Sequence, residues 1–335
     1  MILRIFKSRE PFDYFLYLIV GVLFWTNSFR FPSPYRFFEG ENESILYGFV
    51  DKLVSGRPVL QVALSLIIVL FVAFLIQQIN SKYALIKART KLPAVIYIII
   101  IGGFASMHTL HPVFFAAIFT LLGLNSLFSI FNNPNPQVEI FNAGLFIAIG
   151  TLFYFNLIVL LPAFLIAVSI LRRERKWSEF LILIVGFLIP VAFGLTYTFF
   201  TDQFYETVEI FQKSIFSHIN HFKTNYALQG FLGLLILLTI IGSVKIMQQY
   251  DSRKVSTRKY FSTLFVVFFF SMLSFVFIPA TSQEMLVIAV IPLTILISNL
   301  FVSIESVFWR ELLFTMLLVA AILMQFANKF FPTIL

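Results

Sequence analysis

The sequence has no cysteine, which excludes disulfides and thiol catalysis. Charge is also scarce. Asp, Glu, Lys and Arg make up 12% of the 335 residues, about half of the roughly 25% usual in a soluble domain. No glycine-rich phosphate loop, nucleophile elbow or metalloprotease motif occurs. No internal repeat is evident, so an inverted-repeat transporter gains no support.

What is there is apolar. Hydrophobic residues make up 59% of the chain. They come in blocks, many longer than the roughly 18 residues that mark a membrane helix, such as VLQVALSLIIVLFVAFLI and FSTLFVVFFFSMLSFVFIPA. The net charge of +8 then belongs to loops retained in the cytoplasm and not to nucleic-acid binding. The N-terminus MILRIFKSREPFDYFLYLIVGVLFW starts basic, runs apolar and lacks a small-x-small cleavage site, which marks an uncleaved first span.

Eleven spans are predicted near 13–29, 59–79, 93–107, 112–130, 140–154, 156–171, 179–200, 228–247, 261–280, 285–304 and 311–328. Residues 140–171 would make one helix of about 48 Å, too long for a single upright span. Asn156 and Pro162 favour a break, with a turn near Phe155. Charge agrees. With two spans there and a cytoplasmic N-terminus, 17 of the 24 basic residues lie inside and 7 outside. Fusing the two spans would put RRERK on the opposite side from SKYALIKARTK, against the positive-inside rule. Trp25, Trp177 and Trp309 fall near span ends, where indole rings favour the interface. The fold expected is an all-α transmembrane helical bundle, one integral membrane domain over 1–335.

Two outer loops, 30–58 and 201–226, are each expected to hold a short interfacial helix. Over 43–55, Asn42 would cap the helix, Glu43 would meet the positive end of its dipole, and Gly56 with Pro58 would close it. Ser44, Tyr47, Asp51 and Ser55 form a polar stripe, with Leu46, Phe49, Val50 and Leu53 mostly opposite. Over 203–222 the apolar stripe is Phe204, Val208, Phe211, Ile215 and Phe222, while Glu206, Glu209 and Lys213 stay polar.

No Asp, Glu, Lys or Arg sits near the middle of a span. Ion-coupled carriers usually keep an ionisable group there, so the absence argues against one. Gln61, Asn125, Asn142, Asn156, Asn299 and Gln325 are expected to join helices by hydrogen bonds. Chemistry then falls to the outer carboxylates Glu39, Glu41, Glu43, Asp51, Asp202, Glu206, Glu209 and Glu284. A carboxylate at the lipid boundary could deprotonate a hydroxyl, or hold a divalent metal ion that grips a lipid phosphate. Arg30, Arg36 and Arg57 could pair with that phosphate. All four histidines fall outside as well, His108 and His111 in HTLH and His218 and His221 in HINH. Two such i,i+3 pairs could share an iron or zinc ion.

Residues 41–58, ENESILYGFVDKLVSGRP, resemble the first outer loop of the GT-C superfamily, the polyprenyl-phosphate-sugar-dependent glycosyltransferases. The pattern there is D-E-A-x-Y-x-x-x-A-x-x-L-x-x-G, with Tyr47, Leu53 and Gly56 in register. The resemblance implies a carboxylate base in this loop. Asn42 stands where the superfamily often has its Asp, so the implied base is Glu43, with Glu41 second. The segment AGLFIAIGTLFYFNLIVLLPAFLIAVSILRRERKWSEF is similar to the superfamily's paired short helices and basic turn. SQEMLVIAVIPLTILISN resembles its late span, with Gln283-Glu284 where an Arg commonly precedes the helix. The implied phosphate- and substrate-binding residues are Arg36, Arg57, Lys52, Tyr47, Asp51 and Glu284. The whole chain also resembles an uncharacterised family of bacterial inner-membrane proteins. The histidines bear comparison with bacterial membrane-bound carotene-cleaving dioxygenases, although HTLH and HINH match neither H-G-x-x-D nor H-S-x-x-H.

The expectation is a multi-pass protein of the bacterial inner membrane acting in cell-envelope glycan assembly. It would move a sugar from a polyprenyl-phosphate carrier to an acceptor on the outer face, and its partners would be membrane lipid and envelope-complex subunits, with no nucleic acid. The alternative is a non-enzymatic scaffold or accessory subunit. A lipid or solute transporter and a four-histidine oxygenase stand behind these.

Overall fold

A computed structural model of the chain describes residues 13–32, 44–86, 90–172, 176–216, 226–249, 253–277 and 284–326. These form an all-α fold, with no strand among the described residues. The helices are Asp13–Arg30 (α1), Tyr47–Val54 (α2), Pro58–Tyr83 (α3), Leu92–Gly102 (α4), Pro112–Ser129 (α5), Gln137–Phe153 (α6), Leu160–Leu171 (α7), Trp177–Phe200 (α8), Phe204–Phe216 (α9), Tyr226–Gln248 (α10), Val255–Phe277 (α11), Glu284–Ser303 (α12) and Val307–Gln325 (α13). Each of the eleven predicted spans overlaps one of them, and α2 and α9 are the two short helices expected in the loops. Six, α3, α5, α8, α10, α12 and α13, are long and apolar enough to cross a membrane.

Sequence chemistry explains many of the boundaries. Pro58 and Pro112 open α3 and α5, where a missing N–H costs nothing. The run from 140 to 171 breaks as Asn156 and Pro162 imply. α6 stops at Phe153, Tyr154 is extended, and a 3-10 turn over Phe155–Val159 leads into α7. The third predicted span is shorter than expected. α4 ends at Gly102, and Ala105–His108 is a 3-10 turn. At 1.5 Å per residue, α4 reaches only about half of a hydrocarbon core. All 11 of its residues are buried, the setting in which irregular backbone at membrane depth can be kept.

The core is built around α12, which packs against α4, α5, α10 and α11. Beside it, α6 packs closely on α8. Glycines permit that approach: a Cβ on Gly144 would run into the carbonyl oxygen of Leu183, and one on Gly186 into that of Phe141. Small residues at a helix crossing let backbones approach where no solvent drives association.

Most of the described basic residues gather at one set of helix ends. At one end Lys82 donates to Asn125, Lys259 to the carbonyls of Leu171 and Arg172, and Arg253 to Asn299. Trp177 and Trp309, both exposed, open α8 and α13 at this basic end. The opposite end holds α2, the turn at His108 and the break at Phe155. Trp25 departs from the interfacial role expected of it. It is fully buried, and its indole donates to Ser65 Oγ at 2.9 Å.

Gly144→Ala and Gly186→Ala should each lose on the order of 1–3 kcal/mol of stability by overpacking, read as a lower melting temperature in detergent. Gly233→Ala, where nothing lies within 4 Å of the added methyl, should be neutral or stabilising. Equal effects at all three positions would show that the α6–α8 contact is not this close.

Candidate functional site

The described part of the predicted site, Tyr47 to Arg57, lies at the end opposite most of the basic residues. Arg36, Glu41, Asn42 and Glu43 lie outside the described residues, as do His218 and His221. The described residues resume at Ser44, directly after the acidic stretch in sequence.

Ser44 is buried, and its carbonyl accepts from Gly48 N at 2.9 Å. Leu46 N donates to Leu152 O at 3.1 Å, which ties this turn to the end of α6. The helix starts at Tyr47 and not near 43. Its N-cap is Leu46, in helical conformation and with no side-chain cap bond, so the expected Asn42 cap is corrected. The faces of the helix are corrected too. Tyr47 and Val54 are buried against Leu110, with Val50, Leu64, Ile68, Phe115 and Phe153 around them. Tyr47 OH donates to Leu110 O at 3.2 Å. Phe49 and Leu53 are exposed instead, and Phe49 lies against Tyr197 of α8, ring centroids 5.7 Å apart. A tyrosine can bury its ring if its hydroxyl finds an acceptor, and the Leu110 carbonyl supplies one. Asp51 is half-buried, while Lys52 and Arg57 are exposed. Gly56, at φ +75°, turns the chain into α3 as expected.

Glu284 lies apart from this group by sequence. It is buried in the first turn of α12, where a carboxylate is favoured by the positive end of the helix dipole. That placement suits holding the helix start better than meeting a phosphate.

His108 and His111 do not form the expected helical pair. His108 ends the 3-10 turn, and Thr109 and His111 are both extended. His108 is buried, with its ring stacked on Trp25 at 4.0 Å. Its Nε2 lies 3.0 Å from Gly102 O, and its Nδ1 2.7 Å from Ser28 Oγ. A carbonyl can only accept, so Nε2 carries the proton and Nδ1 accepts from Ser28. Both ring nitrogens are thereby occupied in joining α1 to the end of α4. Ser65 Oγ extends the link by donating to the His108 carbonyl. His111 caps α5, its Nδ1 accepting from Val113 N at 3.2 Å. Among the described residues no group of three or more His, Asp or Glu could hold a metal ion. The Ser28–His108–Trp25–Ser65 node was not foreseen from sequence. Its one signal was a Trp and two Ser inside otherwise apolar runs.

Close to this node, α1, α4 and α13 line a half-open apolar cavity of about 320 Å³. Val20, Leu23, Phe24, Ile99, Phe314, Leu318 and Ile322 line it, with Gln325 as its polar member. Gln325 Nε2 donates to the Phe24 carbonyl, so the polar group is spent on joining α13 to α1.

A sequence profile described as a family of unknown function, DUF6427, matches residues 44–333. The chain belongs to that family. The match opens at Ser44, directly after the acidic stretch, and takes in α2, the His108 turn and every later helix. Neither the curated proteins nor the solved structures give a match.

Burial holds the His108 pKa down, to about 4. The folded value lies below the ordinary 6.5, so the unfolded chain takes up the proton first as pH falls. The stabilisation from neutral His108 is then complete above about pH 6.5 and is lost as pH falls towards 4, on the order of 2–3 kcal/mol. The melting temperature in detergent should drop across this window. His108→Gln should melt lower at pH 7 and lose much of that slope; an unchanged slope would remove His108 as its source.

Proposed function

We propose that this is a multi-span protein of the bacterial cytoplasmic membrane, with its basic end in the cytoplasm, that holds a lipid carrier at its outer face. The observation that carries this reading is the apolar cavity between α1 and α13, at the end where α1 leads into the 30–58 loop. A site walled by aliphatic and aromatic side chains suits the first units of an isoprenoid or acyl chain. The headgroup of such a lipid would lie at the level of Lys52 and Arg57, both exposed at that end.

The chemistry proposed there is sugar transfer from a polyprenyl-phosphate sugar, as in the GT-C superfamily. Glu43, or Glu41, takes the proton of an acceptor hydroxyl. The acceptor oxygen attacks the anomeric carbon, and the polyprenyl phosphate leaves with the bonding pair. Arg36, Arg57 and Lys52 would stabilise the leaving phosphate, and a divalent ion could share that charge.

A second reading, a non-enzymatic scaffold or accessory subunit of an envelope complex, is favoured by one observation. Tyr47 and His108, two polar side chains of the candidate region, are both committed to packing and hydrogen bonds within the frame.

The full chain in nanodiscs, exposed to a photoreactive polyprenyl-phosphate, should label at α1 or α13. Leu318→Trp, which fills the cavity, should cut that labelling at least about fivefold, the scale of a lost buried side-chain contact. With a polyprenyl-phosphate sugar as donor, Glu41→Gln combined with Glu43→Gln should abolish transfer. Labelling without transfer in the unaltered protein would favour the scaffold; transfer undiminished in the double variant would remove both carboxylates as the base.

A further inference from the structure

The walls of the cavity between α1 and α13 run side by side. Tyr17 OH, near the start of α1, donates to the Lys91 carbonyl at the start of α4, and α13 starts at the same basic end. Along α1 the lining residues are Val20, Leu23 and Phe24; along α13 they run from Phe314 to Gln325. Phe24 and Gln325 are therefore the outermost pair, and the Gln325 amide joins them by donating to the Phe24 carbonyl. Two close approaches tighten the same level. A Cβ on Gly102 would lie 2.7 Å from Cγ of Phe24, and one on Gly103 would lie 3.0 Å from the Ala321 carbonyl oxygen. Both α1 and α13 thus stand hard against the end of α4, and the cavity is tied at the end away from the basic residues.

Exposure marks where it is open. Phe24, Ile99 and Phe314 are buried and form the back. Leu23 of α1 is 68% exposed and Ile322 of α13 is 41% exposed, so these two form the rim. The flanks on which they lie are apolar as well. Ile19 and Val22 on α1, and Val319 and Leu323 on α13, are all exposed. The mouth therefore continues the apolar sides of the two helices and faces sideways.

Resting on the lipid reading of this cavity, we infer that it fills sideways from the bilayer, through the gap between Leu23 and Ile322. Its ligand is then the chain of a lipid already in the membrane, not an amphiphile delivered from water through the outer end. The chain lies below the Gln325–Phe24 bond, and its headgroup reaches the outer face along the lipid side of α1 and α13. Lipid tails are as apolar as the cavity wall, so moving a chain from one to the other brings no hydrophobic gain. Fit at the rim and packing at the back decide which chain enters.

Photolabelling of the full chain in nanodiscs tests the route. Two probes are dissolved in the bilayer, a photoreactive polyprenyl-phosphate and a phosphatidylcholine with a photoreactive acyl chain. At least one should label α1 or α13. Leu23→Trp and, separately, Ile322→Trp should slow that labelling at least about fivefold, the scale of one overpacked contact. Gln325→Ala, which unties the outer end, should leave the rate unchanged. The reverse pattern, faster labelling in Gln325→Ala and no effect at the rim, puts the entrance at the outer end and overturns the route. Labelling by the acyl chain alone leaves the route standing and removes the polyprenyl carrier; labelling by neither probe overturns both. Should a Trp variant fail to fold, as read from melting in detergent, Leu23→Phe and Ile322→Phe carry the same expectation. The chain has no cysteine, so Leu23→Cys introduces a single thiol at the mouth. On oxidation it should stay monomeric; a disulfide-linked dimer with labelling lost would give the gap to a second copy and overturn the route.

Discussion

One helix must be enclosed on every side. Eighteen of the twenty residues of α12 are buried, so it has no face to give to lipid or water. Its surface is apolar all round, the signature of a helix at the centre of a bundle. The polar side chains on it turn inward to its own backbone: Thr294 donates to the Ile291 carbonyl and Ser298 to that of Thr294. α4, α5, α10 and α11 supply the enclosure. The short, fully buried α4 can exist only because α12 stands against it, and Tyr97 OH donates across to the Val287 carbonyl at 3.4 Å.

Where hydrocarbon surrounds a bundle, polar groups must be satisfied within it. This chain does so mostly at the helix ends and with uncharged side chains. At one end a Trp, a His and two Ser knit α1, α3 and the α4 terminus. At the other, Tyr83 OH donates to the Asn125 carbonyl at 2.8 Å, with Phe128 and Tyr260 packed on its ring. Between these two layers, the Tyr97–Val287 hydrogen bond aside, the contacts described are mainly apolar packing, which is why glycines at the α6–α8 crossing matter.

The positions of the long helices were legible because long apolar runs leave little choice of structure, and the break at 154–159 because Asn156 and Pro162 fit a continuous helix poorly. Gly56 was legible because only glycine takes its turn cheaply. Several of the polar joins were also visible, since an Asn or Gln inside an apolar run must find a partner: Asn125, Asn299 and Gln325 each do. The faces of the helices were not legible. Period arguments separate polar from apolar sides, but in α2 both sides are usable: Tyr47 is polar at its tip and apolar in its body, and it went inward while Leu53 went outward. Trp25 misled for the same reason. Position at a span end marks depth and says nothing about which way the ring turns. The acidic stretch, the strongest sequence signal for chemistry, lies outside the described residues.

The basic residues at one end are commonly explained by topology alone, yet their contacts show a second use. Lys259 Nζ lies on the last carbonyls of α7, 3.1 Å from Leu171 O, where a cation offsets the negative end of the helix. Arg172 reaches from the same terminus to Glu179 in the first turn of α8, joining the ends of the two helices. A positive charge at this end is thus also a donor placed where helix ends run short of partners. That double duty predicts which cations tolerate replacement: exposed Lys254 should matter only as charge, whereas Lys259 and Arg172 hold particular carbonyl and carboxylate oxygens and cannot be exchanged for charge elsewhere on the same face. Arg253 belongs with the second group: it is buried, and its Nη2 holds the amide oxygens of Asn299 and Gln249, tying the end of α10 to α12.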